Sequence, residues 1–208
     1  MNGSFQITSV IPPSYFQERD ALTVARELLG AKLCTFTMGV YSSGIITETE
    51  AYCAPEDKAS HAFNNKKTKR TGVMYKEGGR SYVYLCYGIH HLFNIVCGPG
   101  GLPHAVLIRA VKAEEGIEQM LERRNLRVCS KKISAGPGIL SEALGINRES
   151  NDLELIVENG IWLEWTDLKP PESQIVSASR IGIDYAGEWA AKPWRFYIRK
   201  SEWVSKKI

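Results

Sequence analysis

The run "SYVYLCYGIHHLFNIVC" (residues 81–97) constrains the fold more than any other stretch, because it holds two segments rich in β-branched and aromatic residues that reverse near Gly88. Val83, Leu85 and Tyr87 share one parity, and Tyr82, Tyr84 and Cys86 the other, since successive strand side chains point to opposite faces. Further strand-like runs surround it. "KLCTFTM" and "GIITETEAY", joined by the turn-like "GVYSSG", read as a hairpin, and "HAVLIRAV" (104–111) is apolar apart from Arg109. "LELIVENGIWLEW" reads as a second hairpin with an Asn-Gly turn at 159 and 160, and "QIVSASRIGID" and "WRFYIRK" read as late strands. Helical patterns lie between them. "DALTVARELLG" has Asp20 as N-cap, an apolar stripe of Leu22, Ala25, Leu28 and Leu29, and Gly30 as its stop. "EEGIEQMLERRN" (114–125) is helical, and "AGPGILSEALGIN" is a short helix opened by Pro137 and stopped by Gly145. Residues 53–80 form a polar stretch without periodicity, longer than ordinary connections and therefore a candidate functional loop.

A chain of 208 residues and 23.3 kDa suits one domain spanning 1–208 and can bury a substantial core. Hydrophobic residues at 44% and charged residues at 24% argue against disorder and against a coiled coil. No apolar run approaches the roughly 20 residues that cross a bilayer. The start "MNGSFQITSVIPPSYF" has neither the basic nor the apolar region of a leader. A soluble intracellular protein with no membrane contact is expected. The five cysteines are odd in number and irregularly spaced, the pattern of reduced core residues rather than of a disulfide framework. The four histidines show no metal-ligand spacing, so neither a metal nor a cofactor is expected.

Net charge is only +3, yet the positive charge clusters. Residues 64–80 hold Lys66, Lys67, Lys69, Arg70, Lys76 and Arg80 against the single acid Glu77. "RRNLRVCSKK" (123–132) has no acid, and Lys192, Arg195, Arg199 and Lys200 form a third group. Each alone is compatible with a solvated surface; together they describe an uneven field that attracts a polyanion. Within "GIITETEAY" the alternation places Ile46, Glu48, Glu50 and Tyr52 on one strand face. A solvated sheet edge produces this pattern, and so does a cleft with a working carboxylate. Arg109, in an apolar strand, requires a partner.

The words "ETEAY" with "PEDKASH", "YVYLCYGIHHLFNIV", "AVLIRA", "AGPGIL" and "AGEWAAKPWRFYIR", in this order, resemble the alkyladenine (3-methyladenine, or N-methylpurine) DNA glycosylase family over most of the chain. The resemblance implies a mixed α/β (α+β) domain built on a curved, mainly antiparallel sheet, with flanking helices and a protruding hairpin. It implies a monofunctional enzyme, acting as a monomer on double-stranded DNA that contains damaged purines (3-methyladenine, hypoxanthine, ethenoadenine), without lyase activity. The location implied is the cytoplasm with its nucleoid in a bacterium, or the nucleus in a eukaryote. Glu50 would be the general base that activates a water, with Arg109 helping to hold that water and the flipped nucleotide's phosphate. Tyr52, His61 and Tyr84 would grip the flipped base, Asn94 would disfavour guanine, and Tyr87 would enter the duplex where the base had been. Lys66, Lys67, Lys69 and Arg70, with backbone N–H groups near Gly136 and Gly138, would contact the DNA backbone. The family commonly has a lysine where this chain has Ile139, which removes a phosphate contact from that position. Glu48, on the same face as Glu50, competes with it for the role of base. A nucleic-acid binder without chemistry and a hydrolase of free nucleosides are the other readings.

Overall fold

In the computed structural model the described residues are 9–207. The stretch 1–8, where no leader is expected, and residue 208, at the end of the single expected domain, lie outside the described residues. Two short helices come first, α1 (Pro13–Gln17) and α2 (Ala21–Glu27). The Asp20 carboxylate accepts from the N–H groups of Leu22 (2.8 Å) and Thr23 (3.0 Å), so it caps α2 as its position before the apolar stripe requires. Val24, Ala25, Leu28 and Leu29 are buried, while Leu22 packs at the core's margin.

Strands β1 (Lys32–Thr37) and β2 (Val40–Cys53) follow as the expected hairpin. The reversal is tighter than "GVYSSG" suggested: it lies at Met38 and Gly39, and the rest of that segment is already β2. Strands β3 (Ser81–Cys86) and β4 (His90–Cys97) form the second hairpin. Strand β5 (His104–Glu115) is longer than "HAVLIRAV", because its pairing with β2 carries on to Glu115. Helix α3 (Ile117–Arg123) therefore starts later than 114. Helix α4 (Pro137–Ala143) begins at its proline and ends before Gly145, as read.

The remaining strands are β6 (Ile161–Glu164), β7 (Ile175–Ala178) and β8 (Arg195–Ile198). The expected hairpin over "LELIVENGIWLEW" does not form. Leu155 N–H bonds to Gly79 O and Glu154 bridges to Arg80, so this arm is held beside β3, while β6 pairs with β1 after a tight turn at Val157–Gly160. In "QIVSASRIGID" only the first four residues after the glutamine are strand, and they pair with β8.

All eight strands join one antiparallel, curved sheet with the path β3-β4-β5-β2-β1-β6, to which β8 adds beside β2 and β7 beside β8. The 14-residue β2 is its spine, bonded to β5 along one edge and first to β1, then to β8, along the other. Register shifts flank Glu48 in its ladder with β5. They overturn the expected shared face: Ile46 joins the main core with Ala51, whereas Glu48 and Glu50 both reach Arg109 on the opposite side. A bulge inserts an extra residue and resets the period of two.

Strand alternation then gives the sheet its two faces. Val83, Phe93, Ile95, Val106, Ile108 and Ala51 enter the main core with α2 and α4, while Tyr82, Tyr84, Asn94, Leu107, Arg109 and Tyr52 line a cleft on the other side. Among the described residues no helix is long and apolar enough to cross a membrane.

Candidate active site

The cleft encloses about 600 Å³ and is bounded by β2, β3, β4, β5, the loop carrying His61 and Arg70, the segment 136–139 and the segment 181–185. A solvated edge is excluded for the β2 acids, since Glu48 and Glu50 are both fully buried. Their surroundings separate their roles. Glu48 Oε1 accepts from Arg109 Nε (3.1 Å), Arg195 NH1 (2.9 Å) and Ser205 Oγ (2.9 Å), and Oε2 from Ser205 N (2.6 Å). It is an ion-pair hub shared by two arginines, and two of its three partners, Arg195 and Ser205, lie outside the cleft lining. Glu50 Oε1 accepts only from Ile181 N (2.8 Å), and Oε2 accepts from Tyr52 Oη (2.8 Å) and faces Arg109 NH1 at 3.3 Å. Three cleft-lining residues thus hold this carboxylate just behind the wall.

Arg109 answers the requirement for a partner twice over. Burial, the largest single influence, pulls its pKa down, but the Glu50 and Glu48 charges outweigh it and hold the guanidinium above its ordinary value. Burial, followed by the neighbouring Glu50, pushes the Tyr52 phenol well up, so it stays protonated as a donor. Behind the Tyr52 ring lies Arg180, its guanidinium 4.7 Å from the ring centroid and bidentate on Asp57 (2.5 and 2.8 Å), with both side chains at 0% exposure. The Tyr52 ring is therefore fixed by a cation on one side, leaving it to present the other side to a ligand.

His61, Tyr82 and Tyr84 form the facing wall. The His61 and Tyr84 rings meet edge to face at 4.6 Å, and Tyr82 lies 5.4 Å from Tyr84. Arg70 closes the group, its guanidinium 4.6 Å from the Tyr84 centroid and 2.8 Å from His61 Nε2. The same Arg70 nitrogen lies 3.1 Å from Nδ1, which shares a 2.8 Å hydrogen bond with Tyr82 Oη whose direction follows the ring's tautomer. Burial, then Arg70 and Lys66, push the His61 pKa down to about 4, and the ring is neutral at physiological pH. Asn94 is held rigid, its amide nitrogen donating to Tyr82 O (3.0 Å) and Leu92 O (3.3 Å).

Tyr87 stands at the tip of the β3–β4 hairpin with 93% exposure, and neighbouring Leu85 and Ile89 are exposed as well. Core packing is thus excluded for it. Tyr87 (φ 50) and Gly88 (φ 76) both have the left-handed conformation that a tight right-twisting hairpin turn demands. Gly136 and Gly138 line the cleft mouth. Gly138 also has a packing reason: a Cβ there would lie 2.7 Å from the His90 ring, so only glycine lets α4 approach the hairpin.

The expected site residues Glu50, Arg109, Tyr52, His61, Tyr84 and Asn94 are thus brought together, with Tyr87, Gly136 and Gly138 at the rim. Lys66, Lys67, Lys69 and Arg70 are all exposed on the adjoining loop, and the Arg70 guanidinium also lies over the Tyr84 ring. The third basic cluster divides: Arg195 is buried on Glu48 and Lys192 lies over Trp189 at 4.0 Å, while Arg199 and Lys200 are exposed. Sequence reading gave no role to Asp57, Arg180, Ile181, Ser205 or the exposed rim aromatic Tyr185. The only signal was a charge and a glycine interrupting the apolar "IVSASRIGID".

Chemically, the arrangement offers aromatic rings on which a planar ring can stack and places a carboxylate just behind them, groups that glycosyl hydrolysis can use. The sequence comparisons make the class specific. The family profile described as "Methylpurine-DNA glycosylase (MPG)" matches residues 15–202. Relatives from Chlamydia pneumoniae and Natranaerobius thermophilus, each named "Putative 3-methyladenine DNA glycosylase", are both 44% identical to this chain. The first match covers 88% of the chain and 92% of the relative, the second 91% and 96%. One from Bacillus cytotoxicus with the same name is 41% identical over 93% of the chain and 98% of its own length. The chain belongs to the methylpurine-DNA glycosylase family.

Proposed function

We propose that the protein excises alkylated or deaminated purines, 3-methyladenine, hypoxanthine and ethenoadenine among them, from duplex DNA, and so begins base excision repair. The damaged nucleotide rotates into the cleft, its base stacks between Tyr52 and the His61–Tyr84 wall, and Tyr87 fills the space left in the duplex. Stacking of about 1–3 kcal/mol per base offsets the few kcal/mol that unstacking costs. The rigid Asn94 amide excludes a purine with guanine's exocyclic amine. Lys66, Lys67 and Lys69 and the N–H groups near Gly136 and Gly138 steady the DNA backbone, and Arg70 works at the aromatic wall.

The observation that carries this reading is the contrast between the two buried acids. The groups bonded to Glu50, namely Ile181, Tyr52 and Arg109, all line the cleft, whereas of the Glu48 partners Arg109, Arg195 and Ser205 only Arg109 does, so Glu50 is the acid within reach of a water there. That water attacks the anomeric carbon, its proton passes to Glu50, and the bond to the base breaks as the sugar gains oxocarbenium character opposite the carboxylate's charge. Arg109, beside Glu50, orients the water and the nucleotide's phosphate. A purine methylated on a ring nitrogen, such as 3-methyladenine, already carries positive charge and departs as a neutral base; the neutral lesions hypoxanthine and ethenoadenine take up a proton from solvent as the bond breaks. No lysine is among the described residues that line the cleft, which supports hydrolysis without strand cleavage. The protein acts as a monomer, the state that the family resemblance implies. The relatives named for this activity are bacterial, and a cytoplasmic enzyme working on the chromosome fits them.

The test is incubation with duplexes carrying one lesion each, followed by alkaline cleavage at the abasic product. Wild-type protein should release at least one lesion base, and Glu50→Gln should still bind the duplex while releasing none. A wild type that binds lesion duplex but never yields an abasic site would refute the proposal.

A further inference from the structure

The guanidinium of Arg109 meets three acceptors on two segments, Glu48 and Glu50 on β2 and Ser205 near the end of the chain. Nε donates to Glu48 Oε1 at 3.1 Å, NH1 faces Glu50 Oε2 at 3.3 Å, and NH2 donates to Ser205 Oγ at 3.2 Å. Ser205 is a two-way link, because the hydroxyl that accepts from Arg109 also donates to Glu48 Oε1 at 2.9 Å. Its backbone N–H separately reaches Glu48 Oε2 at 2.6 Å. The segment around it is tied down on both sides: Thr47 Oγ1 donates to Trp203 O, and Arg195 NH1 donates to Lys206 O at 2.8 Å. Residues 203–206 therefore run behind β2 as a strap whose hydroxyl ends beside the arginine of the cleft.

We propose that Ser205 is a positioning residue for excision, which holds the Arg109 guanidinium in the plane that serves Glu50 and the attacking water. Two attachment points let a planar guanidinium pivot about the line joining them, and a third stops the pivot. Without Oγ, NH2 loses that acceptor and the guanidinium is free to turn about the line through its contacts with Glu48 and Glu50, which loosens NH1 from Glu50. The backbone bond from Ser205 N to Glu48 survives loss of the hydroxyl, so the strap stays attached while its grip on Arg109 goes. This inference rests on the glycosylase reading of the cleft.

The experiment compares wild type, Ser205→Ala and Ser205→Thr for single-turnover excision rate, lesion-duplex affinity and melting temperature. Displacing a reacting group by a fraction of an ångström to 1 Å lowers rates by roughly ten- to a hundredfold. Ser205→Ala should lose about that much in rate, with duplex affinity within about twofold of wild type on the same grounds. Ser205→Thr, which keeps the hydroxyl, should recover most of the rate. If Ser205→Ala excises at the wild-type rate, or if rate, affinity and melting temperature fall together and threonine does not rescue, Ser205 is not a positioning residue. If wild type releases no lesion base at all, the functional reading itself fails, an outcome separate from both.

Discussion

Tyr87 offers a prediction in which stability and function move in opposite directions. Its side chain is 93% exposed and contributes almost no packing to the free protein, while its backbone sits at φ 50, followed by Gly88 at φ 76. A non-glycine residue in the left-handed region costs on the order of 1 kcal/mol, and Asn-Gly is the pair that such hairpin turns favour. Tyr87→Asn should therefore stabilise the fold by about 0.5–1 kcal/mol, a rise of roughly 1–4 °C in melting temperature for a domain of this size. On the proposed function, the same change removes the ring that would take the flipped base's place in the stack. Losing about 1–3 kcal/mol of stacking weakens binding to a lesion duplex by roughly 5- to 150-fold. Thermal melts of the free protein and fluorescence-anisotropy titrations with a single-lesion duplex measure the two effects separately. A fall in melting temperature of several degrees would show that the ring packs against the protein. Unchanged duplex affinity would show that the hairpin tip does not enter DNA.

Glu50→Gln is not a neutral isostere here: one end of the carboxylate accepts from Ile181 N and the other from Tyr52 and Arg109, so either amide orientation sets donor against donor. Besides a loss of about 10²–10⁴ in excision rate, it should cost about 1–3 kcal/mol of stability, seen in a urea titration; a wild-type midpoint would contradict the hydrogen-bond assignment. Arg180→Met leaves Asp57 buried without its cation and should cost about 3–5 kcal/mol, whereas the double change with Asp57→Leu should recover part of it; equal stability of the single variant and wild type would sink this. His61 has its pKa lowered from 6.5 to about 4 by burial, then by Arg70 and Lys66, so the unfolded chain binds the extra proton between those values. The neutral ring's contribution is intact above about pH 6.5 and is lost as pH falls toward 4. Wild type should thus lose more melting temperature between pH 7 and pH 5 than His61→Gln does, and parallel losses would overturn the assignment.

Local signals made much of this architecture legible. The cap at Asp20, the Pro137 start of α4 and the reversal at Gly88 each depend on neighbours within a few residues, and they occur where the chain indicates. The same holds for Glu50 and Tyr52, two apart on β2, beyond the register shifts. What the chain does not display is pairing at long range. The arm 153–156 turns from β6 because its acceptors lie at 79–81, and Ile46 changes sides because of the bulge near Thr47. Asp57 reads as one acid in a polar loop until Arg180 arrives 123 residues later, and Ser205 reads as one more polar residue until Glu48 is beside it. Burial likewise cannot be read from a run of charges, which is why Arg195 looked like part of a basic patch.

Because the groups around Glu50 come from β2, β5, the 181 turn and the strap, a chain still leaving the ribosome carries its lysine-rich loop long before it holds a competent acid. Residues 66–70 precede Ile181 and Ser205 by more than 100 positions. On the proposed function, a truncated copy would keep the lysines that meet DNA but lack the assembled surroundings of Glu50, so excision would wait for the whole chain.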